Sequence, residues 1–271
     1  MELWKAAILG LVEGLTEYLP VSSTGHLILT ERLLGMQQGT SESAFAICIQ
    51  AGAILAVLGL YRRRATDCVR GVFGKSPSGF ALAVKLALAF CPAALIGFLA
   101  DDWIEARLFG LWPVACAWLL GGIVILFWPL KPMRAGRGLE ELGFGAAIVI
   151  GFAQCLALWP GTSRSLATIL GGLGVGLSLA AAVEFSFLLG VLTLTAATAY
   201  KALKSGPTML DELGIAAVLV GALTAWVAAV ISVRWMVAWL EHRGMQVFGW
   251  WRIALGLVVL ALLWSGSLSS T

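Results

Sequence analysis

The stretch Glu13-Gly14-Leu15-Thr16-Glu17-Tyr18-Leu19-Pro20-Val21-Ser22-Ser23-Thr24-Gly25-His26 decides how this chain is read. Proline stops an apolar helical run, and the hydroxyl residues behind it are suited to start a new helix. A second stretch, Gln154-Cys155-Leu156-Ala157-Leu158-Trp159-Pro160-Gly161-Thr162-Ser163-Arg164-Ser165, has the same plan. Together they put two carboxylates, an imidazole and a guanidinium among hydrocarbon neighbours. Ionisable groups at membrane depth are expensive, so their default reading is a functional site.

The surrounding composition makes membrane depth the right frame. The 271 residues are 60% hydrophobic and 12% charged, with mean hydropathy +0.93, too little polar surface for a soluble domain. Apolar runs recur along the whole chain, which points to a polytopic helical bundle. The alternating ten-residue segments of a barrel are missing. Glu13 and Glu17 interrupt the first run and no small-residue cleavage pattern follows, so a signal peptide is not expected. Net charge of +3 is modest and the basic residues sit in short loops, which argues against a nucleic-acid partner. Cys48, Cys68, Cys91, Cys116 and Cys155 lack metal spacing and read as small core residues. The twelve tryptophans read as interfacial belts.

The two half-chains echo each other. Pro20 and Phe45 recur as Pro160 and Phe185 at an offset of 140, and Phe109-Gly110-Leu111-Trp112 recurs as Phe248-Gly249-Trp250-Trp251 at 139. The chain is therefore expected to be one integral membrane domain, 1–271, made of two repeats of about 1–130 and 140–271. Each repeat reads as a short helix pair around its proline, then three longer runs: 4–19, 23–35, 44–61, 82–100 and 112–128, then 143–158, 163–176, 182–200, 213–232 and 250–265. A span needs about 20 apolar residues, so each short pair reads as a re-entrant hairpin. The expected fold class is an all-α polytopic membrane protein with six transmembrane helices and two re-entrant hairpins.

Charge sets the orientation. Arg62, Arg63, Arg64, Arg70, Lys75, Lys131, Arg134, Arg137, Arg234 and Arg243 fall on one side of this scheme, and Lys5, Arg32, Arg107, Lys201 and Lys204 on the other. The richer side is placed in the cytoplasm. Three spans per repeat make the repeats inverted, so the hairpins enter from opposite leaflets and their tips can meet.

Glu13 and Glu17, four residues apart, share a helix face. Two carboxylates so close repel in low dielectric unless a cation or Arg164 stands by. Ser22, Ser23 and Thr24 after Pro20, and Gly161, Thr162 and Ser163 after Pro160, leave helix N-termini aimed at the breaks, each a ready anion site. With Arg164, whose planar fork suits phosphate oxygens, they describe a phosphate or diphosphate pocket. His26 can exchange a proton near neutral pH. His242, in a basic segment, reads as interfacial, and Glu184 as either a polar contact or a site residue.

These residues closely resemble the undecaprenyl-diphosphate phosphatase family, also called the bacitracin-resistance phosphatases. The likeness is carried by Glu13 to Glu17, Pro20 to His26, Gln154 to Arg164 with Ser165 and Thr168, and Phe185-Ser186-Phe187-Leu188-Leu189. It implies a multi-pass enzyme of the bacterial inner membrane that removes the terminal phosphate of undecaprenyl diphosphate. This regenerates the lipid carrier for envelope polymers and confers bacitracin resistance. It also implies a site open to the periplasm, a divalent cation (Mg²⁺ or Ca²⁺) at Glu13 and Glu17, and leaves a homodimer open. By motif position the catalytic set is Glu13, Glu17, Ser23, His26 and Arg164, and the substrate-binding set is Ser22, Thr24, Gly25, Gly161, Thr162, Ser163, Ser165 and Thr168. The chain departs from the family pattern at Leu166, usually glycine, and at Leu192, usually proline.

In this reading Arg164 and the helix ends hold the diphosphate, Ser23 attacks or positions a water, and His26 or a glutamate takes the proton. A phosphoserine, a phosphohistidine and direct water attack all remain open. The rival class is a polyprenyl-phosphate or anion translocase, which inverted repeats with midplane breaks also suit. A silent, lipid-binding paralogue is the blander alternative. No His-x-x-x-Asp follows Ser163-Arg164, which argues against the acid lipid-phosphatase superfamily.

Overall fold

Backbone amides in hydrocarbon need partners within their own segment, and the computed structural model answers with helices. It describes residues 1–36, 40–128 and 135–268. Among them the only β pairing is an isolated bridge between Arg137 and Leu177. In chain order the helices are α1 (Leu3–Thr16), α2 (Ser23–Leu33), α3 (Thr40–Leu60), α4 (Arg62–Val72), α5 (Pro77–Leu108), α6 (Leu111–Phe127), α7 (Phe144–Cys155), α8 (Arg164–Gly174), α9 (Leu179–Leu213), α10 (Ile215–Arg243) and α11 (Gln246–Trp264). One-turn 3-10 segments precede α7 and extend it, at Leu139–Glu141 and Leu156–Leu158.

Among the described residues, five stretches are long and apolar enough to cross a bilayer: Ser41–Leu60, Pro77–Ala100, Leu179–Leu213, Ile215–Arg243 and Gln246–Trp264. The chain is a multi-pass membrane protein. The expected span at 112–128 is α6, shorter at 17 residues.

Several boundaries differ from the sequence reading. The 82–100 run begins earlier, where Ser76 caps α5 by accepting from the Gly79 N–H at 3.1 Å and Pro77 fits the first turn. The 182–200 run continues to Leu213 and the 213–232 run to Arg243, because a helix persists after its sequence turns polar. Gly214, at φ 80°, makes the single break between α9 and α10. Helix α4 occupies a segment that the sequence pattern places among the loops: its charged residues break the apolar run without breaking the helix. Lys131 and Arg134 lie outside the described residues.

Large helix contacts join the two half-chains: α1 and α3 pack on α10, α3 on α9, α7 on α5, and α6 on α11. Small residues allow the close approach, as usual where lipid offers no hydrophobic contrast. A Cβ on Gly14 of α1 would strike the Ala225 carbonyl of α10, and one on Gly151 of α7 would strike the Ala89 backbone of α5. Each helix that leads into a proline break is thus clamped against a long helix of the other half.

Other assignments also change. Only Cys48 is buried; Cys91 and Cys116 are exposed, facing outward from apolar helices, so the five thiols are not uniformly core residues. Trp112, Trp250 and Trp264 are exposed as a belt would be, but Trp118 is fully buried. Glu184 makes an ion pair with Arg64 at 2.8 Å, and Arg64 also reaches Glu140 at 2.5 Å, which ties α4, α9 and the segment before α7 together. His242 is exposed, with Nδ1 3.3 Å from the Ala238 carbonyl oxygen.

Candidate active site

The two breaks have the same backbone. Ser22 at φ 72° and Ser163 at φ 76° are the only non-glycine residues with positive φ among the described residues. Each is an N-cap: Ser22 Oγ accepts from the Gly25 N–H at 3.5 Å, and Ser163 Oγ from the Leu166 N–H at 3.2 Å. Each opens an 11-residue helix, α2 or α8. The first helical residue is Ser23 in one and Arg164 in the other.

Those two residues meet on one carboxylate. Ser23 Oγ donates to Glu17 Oε2, and Arg164 Nη2 donates to Glu17 Oε1 at 3.0 Å. Arg164 is steadied by the Ser186 carbonyl at 2.9 Å, and its guanidinium carbon sits 5.1 Å from the Tyr18 ring centroid. Gly190 makes room for it, since a Cβ there would collide with the guanidinium.

This joint lines a cavity of about 690 Å³. Ser22, Thr24, Gly161 and Ser163 also line it, with Gln50, Gln154, Thr193 and Lys204 as further polar groups. Phe90, Ala93, Ala94, Gly97 and Phe98 of α5 and Leu194, Ala197 and Tyr200 of α9 form apolar wall. A polar end and a hydrocarbon side match an amphiphile with a charged head.

The other predicted site residues stand behind the cavity lining. Glu13 is fully buried one turn back from Glu17, and neither of its oxygens has a hydrogen-bond partner. Ser165 Oγ donates to the Leu19 carbonyl at 2.8 Å and lies 2.9 Å from Ser163 Oγ. Thr168 Oγ1 lies 2.6 Å from Ser186 Oγ, bracing the strip that holds Arg164. Gly25 lets α2 approach Trp118, where a Cβ would come within 2.7 Å of the indole. Thr162 closes a turn by donating its N–H to the Trp159 carbonyl at 3.1 Å. His26 is buried with both ring nitrogens engaged: Nδ1 is 2.7 Å from the Ser22 carbonyl, and Nε2 accepts from the Trp251 indole N–H at 3.0 Å.

A helix break at membrane depth frees backbone groups that need partners. From Leu19 to Ser22 each carbonyl has a side-chain donor. Ser165 serves Leu19, Arg252 serves Pro20 at 3.2 Å, Trp118 serves Val21 at 3.0 Å, and His26 serves Ser22. Arg252 also donates to Gly161 and Ala117 at 2.8 Å and to Trp118 at 3.4 Å. At the second break Gly161, at φ 94°, packs so tightly on α6 that a Cβ would come within 2.7 Å of the Val114 carbonyl. Trp159 donates its indole N–H to the Pro113 carbonyl at 3.1 Å.

Ser186 lies within the Phe185–Leu189 segment that carries the family likeness, whereas Arg252, Trp118 and Trp251 have no site role in the sequence pattern. The one available signal was for Arg252: with Lys85 and Arg164, it is a basic residue left over when the loop charges are assigned to the two sides. The two departures are quiet in the structure. Leu166 is buried at 2% exposure in the main apolar cluster, and α9 runs unbroken through Leu192.

Carboxylate oxygens are the donors that Mg²⁺ and Ca²⁺ prefer, and the unpartnered, buried Glu13 beside Glu17 fits such a cation. No cluster of three or more His, Cys, Asp or Glu occurs among the described residues, so hydroxyls, water or a phosphate would complete the shell.

Residues 6–258 match the family described as Bacitracin resistance protein BacA. The chain is 47% identical over 267 residues to Undecaprenyl-diphosphatase 2 of Rhodospirillum rubrum, covering 98% of this chain and 96% of that one. It is 46% identical over 262 residues to Undecaprenyl-diphosphatase of Sorangium cellulosum, covering 95% and 85%. It is 43% identical over 267 residues to Undecaprenyl-diphosphatase 1 of Chromobacterium violaceum, covering 97% of each.

Proposed function

The chain belongs to the BacA family of bacitracin resistance proteins, and we propose that it hydrolyses undecaprenyl diphosphate to undecaprenyl phosphate and inorganic phosphate. It thereby recycles the lipid carrier for cell-wall synthesis and confers resistance to bacitracin. The observation that carries this reading is the Glu17 carboxylate, shared between Ser23 and Arg164 at the polar end of a cavity with apolar walls.

Arg164 and the N-termini of α2 and α8 hold the diphosphate and offset the charge that builds on the transferring phosphoryl group. Ser23 Oγ, already donating to Glu17, forms the new O–P bond as the anhydride P–O bond breaks and undecaprenyl phosphate leaves. Glu17 takes the hydroxyl proton. Water then cleaves the Ser23 phosphoester to release inorganic phosphate. Glu13 and Glu17 would hold the divalent cation, which when bound neutralises phosphate charge. Ser22, Thr24, Gly161 and Ser163 line the head-group end, while Gly25, Thr162, Ser165, Thr168 and His26 keep the breaks in shape.

In the membrane, α1–α2 and α7–α8 are re-entrant hairpins and the remaining long helices, with α6, make six spans. The hairpins enter from opposite leaflets of the bacterial inner membrane, and the site opens to the periplasm. Support comes from the shortness of the paired helices, the matched left-handed serines and the uneven loop charge.

The test is inorganic phosphate release from undecaprenyl diphosphate by wild type, Glu17→Gln and Arg164→Ala, with trapping of labelled phosphoenzyme on Ser23. Loss of turnover in both variants is expected, with label on Ser23. No trapped label would replace serine attack by water attack. No phosphate release by wild type, with lipid translocation in liposomes, would replace the phosphatase by a translocase.

A further inference from the structure

Residues 251 and 252 are neighbours on α11, far in sequence from either hairpin, yet they touch both breaks. Arg252 is fully buried, and its hydrogen-bond partners among the described residues are all carbonyl oxygens. Two belong to the breaks, Pro20 on the first and Gly161 on the second. The other two, Ala117 and Trp118, belong to α6. A guanidinium offers five N–H donors in a rigid fork, so one side chain fixes three segments relative to one another. Lysine has neither the planar fork nor the donor count to copy this. Gly121 of α6 leaves space for the fork, since a Cβ there would strike it.

Trp251 carries a second constraint. Indole nitrogen only donates, so His26 Nε2 must be an unprotonated acceptor in this contact. The Ser22 carbonyl only accepts, so His26 Nδ1 must carry the hydrogen. The imidazole is therefore held in one neutral form by partners on both sides. The Trp251 ring lies parallel to it and the Trp118 ring edge-on, with centroids 6.2 and 5.1 Å away. His26 does not line the cavity. What it does reach is the carbonyl of the left-handed cap, one residue before Ser23.

We propose that Trp251 and Arg252 are positioning residues for the phosphoryl-transfer site: Arg252 sets the register of the two breaks, and Trp251 holds His26 as an Nδ1–H strut under Ser22 instead of a proton carrier. The kinetic part rests on the phosphatase reading above; the part concerning His26 does not.

Two measurements separate those parts. The chain has only two histidines, so nitrogen-15 histidine labelling gives a spectrum of His26 with His242 as internal reference. Wild type should show His26 with a protonated Nδ1 and a bare Nε2, and Trp251→Phe should introduce the Nε2–H form. A protonated Nε2 in wild type would overturn the strut, and an unchanged tautomer in Trp251→Phe would overturn Trp251's part in holding it. In the kinetic arm, Arg252→Lys and Gly121→Ala should each lower kcat for undecaprenyl diphosphate by about 10²-fold through a displaced joint, with KM within about threefold. Adding Arg252→Lys to Arg164→Ala should slow the enzyme no further, because both act on one geometry. Full kcat in either variant, or simple additivity, would overturn the register role. Gly121→Ala keeps the arginine and so covers an Arg252→Lys chain that fails to fold. If wild type releases no phosphate, the phosphatase reading falls while the histidine spectrum still decides the strut.

Discussion

The two hairpin breaks share a backbone and differ in charge. At an offset of 141, Ser22 corresponds to Ser163, both left-handed and both capping. Counted from that fixed point, one residue beyond the offset of the prolines, Glu13 falls against Gln154, Glu17 against Leu158, Ser23 against Arg164 and His26 against Ala167. The first break holds the carboxylates and the hydroxyl, and the second the guanidinium. Two like-charged copies brought tip to tip would repel in a low-dielectric interior, whereas an acidic and a basic copy attract. The matched backbone geometry thus supplies two helix N-termini, and their opposite charge lets Ser23 and Arg164 meet on one carboxylate.

Breaking the link between the copies should have the largest effect. Glu17→Gln removes the shared acceptor of Ser23 and Arg164 and is expected to lower kcat by about 10²–10⁴-fold. Arg164→Ala removes the fork from the other side and is expected to cost about 10²–10³-fold. Phosphate release in detergent micelles measures both. An Arg164→Ala enzyme with wild-type turnover would show that the second break serves only as scaffold.

Exchanging the non-equivalent pair Glu13 and Gln154 sharpens the comparison at smaller amplitude. Glu13 has no hydrogen-bond partner, while Gln154 donates to the Ala89 carbonyl at 3.4 Å and accepts from Thr193 at 3.2 Å. Glu13→Gln should therefore leave the fold intact and raise the Mg²⁺ or Ca²⁺ concentration for half-maximal activity by about tenfold or more, as loss of a carboxylate ligand demands. Gln154→Glu loses a donor and sets a carboxylate against a carbonyl, at a cost of roughly 1–3 kcal/mol. Thermal unfolding should show a lower midpoint for Gln154→Glu than for Glu13→Gln.

Local features of the breaks were legible in sequence: the proline stops, the capping serines and the acidic pair each follow from residue type and spacing. The pairing of Glu17 with Arg164 followed from charge, since neither is stable alone in hydrocarbon. The long-range supports were not legible. Nothing in the spacing of Trp118, Trp251 or Arg252 says that Trp118 and Arg252 serve carbonyls, and Trp251 an imidazole nitrogen, more than 90 residues away, because such long-range side-chain bonds leave no periodic trace. Helix ends were misread for a related reason. An apolar run measures hydrocarbon thickness, while α9 and α10 keep their backbone bonds after leaving it.

The smallest expected effect distinguishes the two caps themselves. A left-handed non-glycine residue costs about 1–2 kcal/mol, and glycine at an N-cap loses only a few tenths relative to serine. Ser22→Gly should therefore be neutral or slightly stabilising, because the long 3.5 Å contact to the Gly25 N–H is the only cap bond it gives up. Ser163→Gly gives up more. Its hydroxyl caps Leu166 at 3.2 Å, lies 2.9 Å from Ser165 Oγ and reaches the Leu19 carbonyl of the other hairpin at 3.4 Å. Losing those buried bonds should make Ser163→Gly less stable than Ser22→Gly by about 1 kcal/mol. Equal unfolding midpoints would mean that the caps are as equivalent in energy as in backbone angle, and that the second serine adds nothing to holding the tips together.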